Sequence, residues 1–152
     1  MSHENAGKVP AWFWVVSLLA LAWYLFGVFQ FYTSVTMSAA SLAPMVKSGQ
    51  ITQVYADFIL AMPISVKVLF GTATIGGTLA SIFLLLRKQA AKSLFIISLF
   101  GAILMYVLLY GFGKDLSIIP SSDFIIASVV MIVTFLMILF SGRMIKRGIL
   151  NR

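Results

Sequence analysis

The fold is decided by residues 63–88, which read PISVKVLFGTATIGGTLASIFLLLRK. Residues 64–86 are apolar apart from Lys67 and a few hydroxyls, and at about 1.5 Å per residue they give a helix of roughly 35 Å. That length crosses a hydrocarbon core of about 30 Å with some tilt. A proline opens the stretch and Arg87-Lys88 closes it, which is typical of a spanning helix with a cytoplasmic end.

Small residues recur along this helix in two neighbouring rows at four-residue spacing: Ala73, Gly77 and Ser81, and Thr72, Gly76 and Ala80. Together the rows form a face where another helix backbone can approach closely, so we expect this helix at the packing centre. The face could serve contacts within one bundle or between copies of the chain. Contacts within one bundle are favoured, because the helices of a single chain already need a close centre.

Composition places the chain among integral membrane proteins. Its 152 residues are 61% hydrophobic and 10% charged, with a mean hydropathy of +1.06, and the apolar excess lies in long runs. The net charge is +7, but the basic residues flank the apolar runs and form no aromatic-interleaved patch. We therefore expect no nucleic-acid partner. Lipid headgroups, which are often anionic, are the expected partner of these cations.

We predict an all-α fold, an integral membrane four-helix antiparallel bundle in a single domain. The spans cover about residues 10–32, 63–86, 93–112 and 122–141. Aromatic residues at both ends of the first span are typical of membrane interfaces. A cleaved signal peptide is the rival interpretation of this span, but its apolar run is longer than the roughly 7–15 residues of a signal core.

The first connection contains an amphipathic segment at about residues 50–61. Its apolar positions recur at helical spacing: Ile51, Val54, Tyr55, Phe58, Ile59 and Met62. We predict a short helix in the first outer loop, lying flat at the membrane surface or over the mouth of the bundle. Before it, residues 38–43 are expected to form a turn of helix that is interrupted near Pro44.

Charge distribution predicts the orientation. An even number of spans puts both termini on one side, together with Lys8, Arg87, Lys88, Lys92, Arg143, Lys146, Arg147 and Arg152. The other side carries Lys47, Lys67 and Lys114. By the positive-inside rule, the termini are expected to be cytoplasmic.

A polar site at the outer mouth is one hypothesis for function. Its candidate members are Lys67, Asp57, Asp115, Asp123 and Gln30. Lys67 is the one formal charge within a span, and such a charge can contact a substrate or an ion. The alternative is a lysine whose stem lies along apolar surface with its amine at the interface, which its shallow depth favours. Gln30 could likewise bond across helices or simply reach the interface.

The scattered hydroxyls inside the spans are expected to carry no chemistry, because serine and threonine can bond to the preceding turn of their own helix. They are Ser17, Ser98, Tyr106, Ser128 and Thr134. The chain has no cysteine, and its one histidine, His3, precedes every span. This excludes thiolate metal sites and a bis-histidine haem within one copy. We predict no catalytic, cofactor-binding or metal-binding residue and expect that the protein is not an enzyme.

Three stretches carry a resemblance: VPAWFW at 9–14, LAWYLFG at 21–27, and AMP at 61–63 before a glycine-bearing span ending LLLRK. In these the chain resembles a family of small four-span bacterial inner-membrane proteins, mostly uncharacterised, some labelled "sugar transporter". The likeness covers about residues 9–113. That family often has a tryptophan soon after the proline that opens span two, where this chain has residues 64–67, ISVK. The resemblance implies the bacterial cytoplasmic membrane and carries over no functional residue.

Three functional hypotheses follow. The first is a non-enzymatic accessory or structural membrane protein, which self-associates or binds a larger membrane complex. The second is a small neutral-solute transporter of the sugar type, which with so few spans would act as a homo-oligomer. The third is a lipid or quinone binder with a lateral groove beside Gly76 and Gly77. The first is favoured because small-residue faces and an amphipathic outer helix suit association.

Overall fold

The computed structural model describes residues 9–112, 117 and 119–151. Within these ranges the chain forms helices α1 (Ala11–Thr36), α2 (Ala39–Lys47), α3 (Gln53–Leu60), α4 (Ile64–Leu85), α5 (Ala90–Phe112) and α6 (Ser121–Lys146). Four of them, α1, α4, α5 and α6, are long and apolar enough to cross a membrane. The predicted all-α membrane bundle, with short helices in the first connection, is confirmed.

The spanning helices run beyond the apolar stretches. α1 continues to Thr36, α5 begins at Ala90 and α6 continues to Lys146. Hydropathy marks the part of a helix that suits hydrocarbon, whereas the backbone ladder continues into the polar interface. At the end of α6, Arg143 and Lys146 lie where the helix dipole is negative, which favours cations.

Helix α4 lies at the centre of the packing. It contacts α1 on one side and α5 on the other, and α5 in turn contacts α6. The ring of Tyr24 lies over Gly77 so closely that an added Cβ would overlap it. On the other side of α4, a Cβ added to Gly101 of α5 would lie 3.2 Å from the backbone nitrogen of Ala73. Close approach in a membrane raises van der Waals contact, which is the main attraction between spanning helices.

The small residues of α4 differ in their surroundings. Four of them are buried, Gly76 is partly buried against Ser98, and Thr72 is exposed with its hydroxyl donating to the carbonyl of Val68. The buried ones are Ala73, Gly77, Ala80 and Ser81. These contacts lie within one chain.

Two names describe the ends of the bundle. The loop end carries α2 and α3, and the tail end carries the α4–α5 turn and residues 147–151. The main hydrophobic core fills the tail half and joins α1, α4, α5 and α6; it is centred on Phe13, Leu84, Phe95 and Met144. Contacts between α1 and α6 are found there too, with the rings of Phe13 and Phe140 stacked at 6.0 Å.

Residues 149–151 are bonded to the turn between α4 and α5. Arg87 adopts a left-handed conformation (φ 57°), and its Nε donates to the carbonyl of Ile149 at 2.9 Å. The backbone nitrogen of Asn151 donates to the carbonyl of Arg87 at 2.7 Å, and that of Gln89 donates to the carbonyl of Asn151 at 2.9 Å. Leu150, between them, is buried in the core. The tail end is therefore closed.

The loop end carries the two short helices. α2 begins with a capping box in which Ser38 and Ser41 bond reciprocally, and Pro44 lies inside the helix. The predicted interruption near Pro44 is therefore not present. The cap satisfies the first turn, and beyond the proline the nitrogen of Ser48 donates a hydrogen bond to the carbonyl of Pro44. α3 is capped by Thr52, whose hydroxyl accepts from the nitrogen of Tyr55.

Neighbouring glycines of α4 give a matched test of this packing. We expect Gly77→Ala to destabilise the protein by about 1–3 kcal/mol, because the methyl group displaces the Tyr24 ring. Gly76→Ala meets only an ordinary contact with the Ser98 side chain at 3.6 Å and should be neutral or slightly stabilising. Thermal unfolding in detergent measures both. Equal midpoints for the two variants would contradict the packing described.

Candidate functional site

A cavity of about 300 Å³ lies in the loop half of the bundle, with walls from all four spanning helices. We call it the lateral cavity. Helix α4 contributes Phe70, Ala73 and Thr74, and α5 contributes Ser98, Ala102, Met105 and Tyr106. The sides are Trp23, Tyr24, Phe26, Gly27 and Gln30 of α1, and Ile126 and Val130 of α6. Its volume is at the low end for ligand sites, about 300–1,000 Å³.

Small side chains on three helices leave this space. Gly27 has no side chain to fill it, and Ala73 and Ala102 present only methyl groups. On the side between α1 and α6, the lining residues Phe26 and Ile126 are 60% and 55% exposed. The cavity therefore opens sideways between these helices, where a membrane would supply lipid rather than water.

The cavity ends towards the tail half at a bridge between α1 and α6. The hydroxyl of Tyr24 donates to Oγ1 of Thr134 at 2.8 Å, and Thr134 in turn donates to the carbonyl of Val130 at 2.8 Å. The Tyr24 ring also lies 5.7 Å from the ring of Phe95. Because Gly77 has no side chain, Tyr24 can lie against α4 and still reach Thr134.

The deep hydroxyls have already used their protons. Ser98 donates to the carbonyl of Ala73 at 2.6 Å, a bond between α5 and α4, and Thr74 donates to the carbonyl of Phe70 at 3.0 Å. Such groups offer a ligand only lone pairs. The deep end of the cavity is therefore apolar with acceptor oxygens.

Two side chains with free donors lie nearer the loop end. Among the described residues, neither the amide of Gln30 nor the hydroxyl of Tyr106 has a hydrogen-bond partner, although the Tyr106 ring stacks on Tyr110 at 5.7 Å. Gln30 is exposed and Tyr106 is partly buried. Both can donate and accept, which gives the cavity a polar rim.

Four members of the predicted outer polar site lie within the described residues. Asp123 accepts a hydrogen bond from the hydroxyl of Tyr55 at 2.8 Å, and Asp57 accepts one from the amide of Gln53 at 2.8 Å. Lys67 lies in the first turns of α4, partly buried, and within the described ranges it forms no salt bridge with either acid. Gln30 lines the lateral cavity instead. Asp115 lies outside the described residues.

The Tyr55–Asp123 bond anchors α3 to the start of α6. Burial, followed by the hydrogen bond to the Asp123 carboxylate and its negative charge, raises the pKa of the Tyr55 hydroxyl well above its usual range. The Tyr55 ring also stacks on Phe58 at 6.4 Å. The amphipathic helix is thus held at the loop end by its apolar face and one charge-assisted bond.

The serine and threonine hydroxyls in the spans were predicted to bond within their own helix. That is how they lie for Ser17, Ser128 and Thr134, each of which donates to a carbonyl one turn back in its own helix. Ser98 and Tyr24 instead bond between helices. A spacing pattern in one helix cannot reveal such pairs. The placement of Gly77 opposite an aromatic residue is visible only in three dimensions.

The groove expected beside Gly76 and Gly77 lies elsewhere. Ser98 and Tyr24 cover these two glycines, so the open space begins about one turn nearer the loop end, at Ala73. No group of three or more His, Cys, Asp or Glu residues that could hold a metal is found within the described ranges. No protein-family model, curated protein or solved structure matches this chain.

The anchor of α3 is testable through proteolysis. Tyr55→Phe should loosen α3 by about 1–2 kcal/mol, because it removes a bond to a carboxylate. Trypsin cleavage after the exposed Lys47, in the neighbouring α2, should then accelerate. Tyr32→Phe is the matched control, since Tyr32 is 64% exposed.

The same anchor should depend on pH. The pKa of Tyr55 is raised when α3 is docked, so docking is unaffected below about pH 10, the ordinary pKa of tyrosine. Above that pH the undocked form loses its proton first, and docking weakens as the pH rises further. Cleavage that does not accelerate in Tyr55→Phe at neutral pH would contradict the anchor.

Proposed function

We propose that this chain is a non-enzymatic accessory protein of the bacterial inner membrane, which acts by holding an apolar molecule or segment in the lateral cavity. The cavity itself carries the proposal, because all four spanning helices build it and none of the described residues in its lining is charged. Binding sites in membranes that recognise apolar partners need no more than a shaped, mostly apolar surface with a few polar groups. A catalytic site would need nucleophiles or acid–base pairs.

The polar groups in the bundle support binding rather than chemistry. The hydroxyls of Thr72, Thr78 and Ser81 donate to carbonyls of their own helix. Asp57 and Asp123 lie at the loop end and bond to neighbouring side chains, and these acids come from different helices. Self-association of the bundle, or association with a larger membrane protein, would use the same opening between α1 and α6.

Native mass spectrometry after mild extraction tests this proposal. The wild type should carry a bound small molecule or partner subunit, and Val130→Trp should lose it because the indole fills the cavity. Val129→Trp makes the same change at an exposed neighbouring position outside the lining and should keep it. If the wild type and both variants appear as monomers with no bound molecule or partner subunit, the proposal is contradicted.

Transport of a small neutral solute is the second candidate, since hydroxyls line part of the cavity. A path through one copy would have to pass the Tyr24–Thr134 bond and the filled core of the tail half. We therefore expect sugar uptake into vesicles to equal that of empty vesicles. Uptake that rises with protein amount and stops in Val130→Trp would establish transport instead.

Orientation is part of the proposal, with the tail end in the cytoplasm. The tail end carries Arg87, Lys88, Lys92 and the cations of α6, which the positive-inside rule places there. Because the chain has no cysteine, single reporters are clean. Ser48→Cys should react with an impermeant maleimide on intact spheroplasts, and Lys146→Cys should react only after permeabilisation. The reverse pattern would overturn the orientation.

A further inference from the structure

Resting on the proposed binding role, we infer that the lateral cavity binds a neutral, flat, oxygen-bearing ring with an apolar tail, the chemistry of a prenylated quinone. The ring lies in the loop half of the cavity, and the tail leaves between α1 and α6 into the lipid. The assignment concerns binding only and requires no electron transfer.

The ligand is neutral because the site offers nothing to balance a charge. Every described residue that lines the cavity is uncharged, from Trp23 on α1 to Val130 on α6. An unpaired charge at this depth in a bilayer costs several kcal/mol, and the deep hydroxyls have no proton left to offer an anion. A neutral ligand avoids this cost, whereas an acidic headgroup or an ammonium group would meet it without an ion-pair partner in the described lining.

The ligand is flat because aromatic rings surround the space. Five of the lining residues are aromatic: Trp23, Tyr24, Phe26, Phe70 and Tyr106. Aromatic side chains prefer stacked or edge-to-face contacts with another ring, which adds to simple apolar contact. A flexible acyl chain cannot form these ring–ring contacts. The aromatic lining therefore favours a conjugated ring over a saturated chain.

The ligand carries acceptor oxygens because side chains with free donors line the loop side of the cavity, in addition to the indole N–H of Trp23. The Tyr106 hydroxyl, on α5, and the Gln30 amide, on α1, line the cavity from different helices. Neither has a hydrogen-bond partner among the described residues. Ring carbonyls are acceptors that these two groups can meet. The hydroxyls of Tyr24 and Ser98 donate elsewhere, so a ring carbonyl finds its donors on the loop side of the cavity.

The volume suits one ring rather than a whole lipid. At about 30 Å³ per water-sized group, 300 Å³ corresponds to roughly ten heavy atoms. A substituted quinone ring is of this size, and its tail must then lie outside. The exposed Phe26 and Ile126 line the opening through which such a tail would pass.

Tryptophan fluorescence gives a direct test. The chain has three tryptophans, and only Trp23 lines the cavity, so Trp12→Phe with Trp14→Phe leaves a single reporter there. Titration with decylubiquinone, whose ring quenches indole emission, should give saturable quenching. Tyr106→Phe and Gln30→Leu should each weaken the apparent affinity about fivefold, as the loss of one hydrogen bond predicts. Tyr32→Phe, on the exposed face of α1, should leave it unchanged.

The outcomes separate this inference from the proposed function. Quenching that grows linearly with quinone concentration, equally in all variants, would overturn the quinone assignment. Competition by decanol at the same concentrations would overturn it too, because decanol has an apolar tail but no ring. If native mass spectrometry still shows an occupant that Val130→Trp removes, the accessory binding role stands without it. An empty cavity together with linear quenching would overturn both.

Discussion

The structure depends on the close approach of Tyr24 to Gly77. Because Gly77 has no side chain, the tyrosine ring can lie flat against α4, where any larger residue would force it away. From that position its hydroxyl reaches Thr134 on α6, so one residue joins α1, α4 and α6. In a bilayer, helices gain little from the hydrophobic effect, and such contacts and interhelical bonds hold them together.

This contact divides the bundle into two unlike halves. On its tail side the core is filled, and the α4–α5 turn is bonded to residues 149–151. On its loop side, α1 and α6 enclose space instead of filling it, because Gly27, Ala73 and Ala102 are too small. The filled half holds the helices together, and the other half leaves the lateral cavity open between α1 and α6. This division supports the proposed binding role over transport, because a path through one copy would have to cross the filled half.

Much of the fold could be predicted from the sequence. Residues 64–86 are long and apolar enough to indicate a spanning helix alone, and Arg87-Lys88 marks the turn that follows. The amphipathic pattern around Tyr55 indicated a short helix at the loop end. Such features depend on local periodicity, which a single sequence displays. The course of α2 through Pro44 was missed, because a proline removes its own N–H from the helix while the bonds beyond it still form, as from the nitrogen of Ser48 to the carbonyl of Pro44.

The candidate site was harder to predict, because it depends on distant pairs. Gln30 was identified as a polar group near a helix end, but its neighbour Tyr106 lies on another helix far along the chain. Asp123 was named with Lys67 as a candidate member of the outer polar site, and the bond that it accepts from Tyr55 joins residues that are 68 positions apart in the chain. A cavity forms where small side chains of several helices face one another, and the sequence of one helix does not show which residues face it.

The most direct test is an experimental structure of the protein in a lipid nanodisc, with a rigid antibody fragment bound to provide mass. We expect Tyr24 over Gly77, a filled tail half, and separate density between α1 and α6 beside Gln30 and Tyr106. Helices α1 and α6 packed together along their whole length, with no space between Gly27 and Val130, would contradict it.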